Sequence, residues 1–238
     1  MSASEPAPGD GFLLRVSSRA RRARISIDPH GRTTVVIPEG FDPALAAELV
    51  EERADWIRSA RARMAERYPG SGQTGLPGTL RLRATGESFA LGHRPSNGAP
   101  AIREVQDGGL LLSGPGGDSE AAKRALLAWL ARHLRPWAES RLAAIGEPHG
   151  LAPSKVVLRS QRTRWGSCSA TGTISVNVRT AFLEERLADY VIAHELAHLA
   201  EMSHGPAYWR RLETIMPGAA RLDRELSHAG RSLPGWLL

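Results

Sequence analysis

A pair of histidines inside an apolar segment constrains the fold more than any other feature of the sequence. His194 and His198 are four residues apart in the segment 189–200, and Glu195 directly follows the first of them. In a helix, residues at this spacing share one face, with Cβ atoms about 5–6 Å apart, so both imidazoles can reach one metal ion. Histidine pairs on helices are more often surface residues, but the apolar neighbours predict a buried helix, where such groups are costly without a metal. The pattern therefore predicts a zinc-binding helix.

Glu195 is the candidate catalytic residue. Its position next to His194 lets its carboxylate reach the open side of the metal. Zinc lowers the pKa of a bound water to about 7, and a carboxylate at that place takes the proton from this water and returns it to a leaving group. The spacing therefore predicts hydrolytic chemistry rather than a purely structural metal.

A catalytic zinc requires a third protein ligand and leaves its fourth position to water. His204 is the first candidate, because Gly205 and Pro206 directly follow it and must end the helix, so that the chain can turn back. Glu213 on the following helix ranks second. Glu201 ranks third, because it lies on nearly the same helix face as His198 and would crowd one side of the metal. Glu201 also stands where the metzincins, which share this histidine spacing, have a glycine.

The composition fits a globular protein with no membrane contact. The chain has 238 residues, of which 42% are hydrophobic, and its single cysteine, Cys168, excludes an internal disulfide. We interpret Cys168 as a small buried packing group. No apolar run approaches the about 18 residues that cross a bilayer, and no signal pattern precedes the first strand. We therefore expect a soluble, cytoplasmic protein.

The net charge of +6 is concentrated in one segment. Residues 120–165 contain nine basic and three acidic side chains, a surplus equal to the net charge of the whole chain. This segment either makes a weak contact with nucleic acid or is ordinary solvated surface, and we favour the second interpretation. Arginines also cluster between Arg19 and Arg24, either as a basic arm or, as we prefer, on the solvent face of a strand.

The chain divides into three regions by its patterns. Residues 1–11 are small and polar, which predicts a disordered terminus. Residues 12–118 are predicted to form a β-rich region with one helix, and residues 119–238 the metal-binding core. In the second region, strand-like runs flank a turn at residues 29–32 and predict a hairpin. A helix is then expected from Asp42 to about Arg67, and a helix over 119–145 should kink or divide at Pro136.

Residues 162–217 resemble a known family. They are similar to the YgjP-like family of predicted metal-dependent hydrolases, or zinc metallopeptidases, related to the SprT and WLM zinc proteases. The residues that carry the resemblance are Arg164-Trp165-Gly166-Ser167-Cys168-Ser169, Gly172 to Asn177, Asp189 to His198, His204-Gly205-Pro206-Ala207-Tyr208-Trp209 and Met216-Pro217. The hairpin and first helix resemble the family less specifically.

The resemblance implies an α+β fold with a zincin-like metallopeptidase core, to which an N-terminal β-hairpin and helix are added. It implies Zn²⁺ as the cofactor, with His194, His198 and His204 as ligands. It also implies a small sheet whose edge strand borders the cleft. Arg164 and Trp165 are candidates to line the substrate path, although Trp165 fits a packing role equally well.

Three functions fit these observations. The first is a zinc-dependent metallopeptidase, which binds an extended peptide at the edge strand. The second keeps the metal site but hydrolyses a nucleoside triphosphate, which the basic segment 120–165 favours. The third is a DNA-binding module with a structural metal, and Glu195 argues against it because a closed structural site needs no carboxylate at an open position.

Overall fold

A computed structural model describes the backbone of residues 5–6 and all of residues 11–72, 75–116, 120–161 and 163–238. The rest of the terminus expected to be disordered, residues 1–4 and 7–10, lies outside this part. The chain forms two compact units, Met1–Thr74 with Leu238, and Gly75–Leu237. Residues 75–116 thus belong to the second unit, whereas the sequence analysis grouped them with the first region.

The first unit packs a mixed sheet against two helices. Its elements are β1 Glu5–Pro6, β2 Phe12–Ser17, β3 Arg24–Ile27, β4 Thr33–Pro38, α1 Ala44–Glu52 and α2 Ala54–Arg67. The strand order is β1-β2-β4-β3, with β2 parallel and β3 antiparallel to β4. Alternation along the strands turns Phe12, Val35 and Ile37 towards Ala46 of α1, and these side chains form the core of the unit.

The hairpin predicted around residues 29–32 is present as β3 and β4. Asp28 stabilises its turn, because one oxygen of its carboxylate accepts hydrogen bonds from the backbone amides of His30 and Arg32, each at 2.9 Å. Two other expectations for this unit were wrong. Most of the segment Arg19–Arg24 forms the connection between β2 and β3 rather than a strand, and the expected single helix is interrupted at Arg53, whose ψ of 14° leaves the helical range.

The second unit begins with a four-stranded sheet. Its strands are β5 Thr79–Leu82, β6 Glu87–Pro95, β7 Ala101–Glu104 and β8 Leu110–Gly114, in the order β5-β6-β8-β7. Short apolar runs at residues 80–82, 89–91 and 110–112 indicate β5, β6 and β8, whereas β7 has no comparable run. Then follow α3 Glu120–His133 and α4 Arg135–Gly146, which separate where Pro136 enters the first turn of α4, as predicted.

The remaining elements surround one buried helix. They are β9 Lys155–Arg159, β10 Gly166–Cys168, β11 Thr173–Asn177, α5 Glu185–Ala197, α6 Pro206–Ile215 and α7 Ala219–Ala229. The three strands form a sheet in the order β10-β11-β9, so β10 is an edge strand. Helix α5 contacts α4, α6, α7, β10 and β11. Because packed elements surround it, its side chains are held in fixed positions.

Polar contacts hold α5 on two of its sides. Arg141 of α4 forms a two-bonded ion pair with Asp189, with Nε donating to the carboxylate at 2.8 Å. On another side, the hydroxyl of Tyr190 donates to Asp223 of α7 at 2.9 Å. The helix is therefore fixed in rotation as well as in position.

No described helix combines the length and apolar character that crossing a membrane requires. The cytoplasmic location expected from the sequence stays a prediction.

Candidate metal centre

The structure brings the three predicted histidines together. His194 lies in the last turn of α5, His198 caps the end of that helix, and His204 lies just before α6. One ring nitrogen of each histidine lies within 4.8 Å of those of the other two. The Nε2 atoms of His194 and His204 are 3.2 Å apart. The end of α5 and the return of the chain into α6 therefore form one cluster of nitrogen donors.

A backbone carbonyl fixes the orientation of the His198 ring. Its Nδ1 lies 3.0 Å from the carbonyl oxygen of Glu201. Because a carbonyl oxygen can only accept, Nδ1 carries the proton and Nε2 presents its lone pair. Metal-binding histidines in proteins commonly use the same arrangement, in which the second nitrogen donates to a carbonyl or carboxylate.

Tyr208 of α6 supports all three rings. It is fully buried, its ring stacks on His198 at a centroid distance of 4.6 Å, and its hydroxyl donates to the carbonyl oxygen of His194 at 3.2 Å. Its ring centroid also lies 4.7 Å from that of His204. This single side chain thus limits the movement of each histidine.

Glu195 directly follows His194 on α5, and its side chain is almost completely shielded from solvent. Its residue is 4% exposed, and its Oε2 has no hydrogen-bond partner among the described residues. Burial raises the pKa of Glu195 to about 7, and the charge of Arg164 opposes this effect. A buried, unpartnered carboxylate oxygen is costly in a resting protein, so this group is typical of a functional site.

Gly166 of β10 makes room for this carboxylate. A Cβ atom at position 166 would lie 2.5 Å from Oε1 of Glu195 and 2.7 Å from its Cγ. Real side chains do not approach so closely, so a residue larger than glycine would displace Glu195. The motif around Gly166 contributed to the family resemblance, but no role of its own could be inferred for this residue from sequence.

The residues of the cluster fit a zinc ion. A tetrahedral zinc with Zn–N bonds of about 2.0–2.1 Å has ligand nitrogens about 3.3–3.4 Å apart, close to the 3.2 Å between His194 and His204. Burial, followed by the charges of the neighbouring histidines, lowers the pKa of His194 to about 4. Its ring is therefore neutral at pH 7, which is the form that binds metals.

The two other candidates for the third ligand lie elsewhere. The Glu213 carboxylate accepts hydrogen bonds from the amides of Gly218 and Ala219, at 2.7 and 3.0 Å, and so caps the start of α7. Glu201 contributes its backbone carbonyl to His198, and its side chain does not join the cluster.

The structure places Arg164 and Trp165 directly before β10. Arg164 is exposed, and Trp165 is half-buried and lies near Gly230. Asn177 ties this segment to the neighbouring strand, because its Nδ2 donates to the Arg164 carbonyl at 2.6 Å and its amide to the Trp165 carbonyl at 2.8 Å. Their contact with substrate stays a prediction.

Cys168 lies at the other end of β10. A buried residue was expected at this position, but Cys168 is only half-buried. Burial and, to a lesser extent, the charge of Glu195 raise the pKa of the Cys168 thiol. A thiol with a raised pKa is a poor nucleophile, which agrees with a packing role.

The basic segment 120–165 is partly engaged within the protein. Arg141 binds Asp189, and Arg135 lies 3.3 Å from Glu139 and donates to the carbonyl of Val156. Arg162 lies outside the described residues. Nothing in the described part of this segment supports a contact with nucleic acid.

Comparison with known proteins agrees with this site. A model of the YgjP-like metallopeptidase domain matches residues 21–229. The chain belongs to the YgjP-like family. A similar solved structure is the crystal structure of the metallopeptidase zymogen of Pyrococcus abyssi abylysin, with 28% identity over 40% of this chain and 98% of that chain, at a TM-score of 0.36. The comparison with curated proteins gave no match.

Family membership confirms the resemblance that the sequence predicted, and the structure confirms the α+β class. The core is zincin-like, with a buried helix that carries both the histidine pair and Glu195 beside a small sheet. The chain therefore carries a metallopeptidase domain, and a peptide substrate is consistent with it.

Proposed function

We propose that this protein is a zinc-dependent peptidase in which His194, His198 and His204 hold the metal and Glu195 transfers protons. The observation that carries the proposal is the Oε2 atom of Glu195, which is buried without a partner among the described residues, on the residue that directly follows the first histidine of the cluster. A structural metal site would have no use for such an atom, because its ligands close the coordination sphere.

The three histidines would bind and orient the metal, and the burial of Glu195 keeps bulk water away from its carboxylate. A bound zinc ion would lower the pKa of water and polarise a carbonyl group. Glu195 then accepts a proton at a carboxylate oxygen and donates it to the nitrogen of the departing amine. A carboxylate whose pKa lies near neutrality suits both directions of this transfer.

Strand β10 is the candidate surface for an extended peptide. Among the described strands it pairs with β11 alone, so its second edge is open to a further strand. Gly166, its first residue, lies against Glu195, which would bring a peptide bound along this edge close to the proton-transferring group. Arg164 and Trp165 would contact the side chains of that peptide.

A side-by-side assay tests the proposal. Purified protein should contain about one zinc per chain, cleave casein and lose this activity with a chelator, because water attack needs the metal. A panel of nucleoside triphosphates is the matched substrate. Hydrolysis of a triphosphate without casein cleavage would replace the peptidase with a pyrophosphohydrolase.

Substitution of Gly166 tests the placement of Glu195. We expect Gly166→Ala to lower kcat about 10- to 100-fold, because a displacement of a reacting group by about 1 Å has that effect. Zinc content should stay unchanged. Gly78→Ala is the control, since a Cβ there meets no atom within 4 Å. Full activity of Gly166→Ala would contradict a positioned Glu195.

A further inference from the structure

Strands β2 and β3 of the first unit and the connection between them carry a cluster of arginines that have no acidic partner among the described residues. Residues 11–27 contain five arginines and no acidic residue. We call this set the arginine patch: Arg15, Arg19, Arg21, Arg22 and Arg24. All five are exposed, and none forms an ion pair or a side-chain hydrogen bond with another described residue.

A minority of the arginines elsewhere in the described part of the chain have acidic partners. Arg32 pairs with Asp28, Arg58 with Asp55 and Arg141 with Asp189. Arg83, Arg186 and Arg221 bind glutamates in the second unit. Most described arginines form no salt bridge, so what distinguishes the arginine patch is its density: five arginines lie within ten residues, with no acidic residue among them.

The patch has a defined geometry. Arg15 of β2 and Arg24 of β3 both lie opposite Val36 of β4, so the two side chains occupy one row across the sheet. The connection between these strands adds Arg19, Arg21 and Arg22. These three arginines and Arg24 line a recess of about 440 Å³. Like charges placed so closely repel one another, and an external anion would relieve this repulsion.

An exposed aromatic ring adjoins the patch. Trp56 of α2 is 45% exposed, and it lines a second recess of about 230 Å³ together with Arg24 and Arg53. Arg24 lines both recesses and thus connects the tryptophan with the patch. An indole that remains this exposed can stack against a flat ring of a ligand.

We propose that the arginine patch and Trp56 bind single-stranded nucleic acid. Guanidinium groups match phosphate oxygens in geometry and charge, and stacking of bases on aromatic rings is the other element of single-strand binding. A duplex is less suitable because its bases are already stacked on one another. An acidic peptide would use the cations but would leave Trp56 without a specific role. An anionic membrane would use both, but the arginines line a recess rather than a flat surface, which favours a strand that can enter it.

Fluorescence anisotropy of the full-length protein tests this proposal with a labelled oligothymidylate of about 20 nucleotides and a duplex of equal length. We expect the single strand to bind more tightly. The variant Arg19→Gln/Arg21→Gln/Arg22→Gln/Arg24→Gln should bind at least about tenfold more weakly. Its salt slope should fall by about 3, since each single-strand phosphate contact contributes about 0.7.

The control variant removes the same charge elsewhere. Arg63, Arg81, Arg94 and Arg103 are exposed, and their joint replacement by Gln should leave binding nearly unchanged. Trp56→Ala should weaken binding about tenfold because stacking is lost. Trp56→Phe should keep most of the affinity of the parent protein, because its ring can still stack on a base. Thermal melting establishes that each variant is folded.

Three results would overturn the proposal. The first is equal weakening by both arginine variants, which would indicate only a net-charge effect. The second is an unchanged affinity in Trp56→Ala. The third is equal or tighter binding of polyglutamate or of phosphatidylglycerol vesicles. Binding should also survive zinc removal and Glu195→Gln, so this inference and the proposed peptidase function can fail separately.

Discussion

Replacement of Glu195 by Gln is expected to reduce peptide hydrolysis by about 10²–10⁴-fold, which is the usual contribution of a general acid–base group. Gln has the same size but cannot accept the proton, so the loss should appear in kcat. Zinc content should remain at about one per chain, because the metal-binding cluster consists of three histidines and does not include Glu195. Peptide cleavage assays and metal analysis of the same preparation measure both effects.

Glu185→Gln is the matched control for this experiment. Glu185 lies on the same helix, and its side chain is 66% exposed. The control should retain full activity. The stability of Glu195→Gln should be equal to or higher than that of the parent protein, because a buried ionised carboxylate without a partner is costly. Turnover close to that of the parent would show that Glu195 is not the general base.

Removal of one histidine is expected to have an equally large effect through the metal. His198→Ala should lower the zinc content from about one per chain to nearly zero and reduce activity to the level of the chelated protein, because two nitrogen donors do not complete a catalytic zinc site. The melting temperature should lose its dependence on added zinc, since a metal stabilises only a protein that binds it. Metal analysis and thermal melting with and without zinc measure the outcome.

Controls for the metal site come from other parts of the second unit. His228→Ala should retain zinc, because His228 is an exposed residue of α7 whose ring bonds to the carbonyl of Arg224. His204→Ala should lose zinc in the same way as His198→Ala. Retention of zinc by His204→Ala together with loss of zinc by Glu213→Ala would mean that Glu213 is the third ligand.

Local sequence pattern predicted the elements that depend on neighbouring residues. The hairpin of β3 and β4 follows from alternating side chains on both sides of a turn, and the division between α3 and α4 follows from Pro136. The placement of His194 and His198 on one helix face also follows from residues that are close together in sequence. Strand β7 and the interruption at Arg53 had no comparable local signal.

The contacts that hold the site in place depend on residues far apart in sequence. Gly166 and Glu195 are separated by 29 positions, and only the packing of β10 against α5 brings them together. Tyr208 was part of the family motif, but its contact with all three histidines requires the turn of the chain before α6. Glu213 could be excluded from the cluster only when its hydrogen bonds to the start of α7 were visible.

The sequence by itself determined which histidines come together, because helical spacing and a helix-ending Gly-Pro pair already bring three imidazoles into one cluster. The tertiary structure decided how that cluster is held: which glycine makes room for the carboxylate of Glu195, which ring supports the histidines, and which arginines have no partner among the described residues. Periodicity acts over a few residues, whereas burial and charge compensation depend on the groups that folding brings into contact.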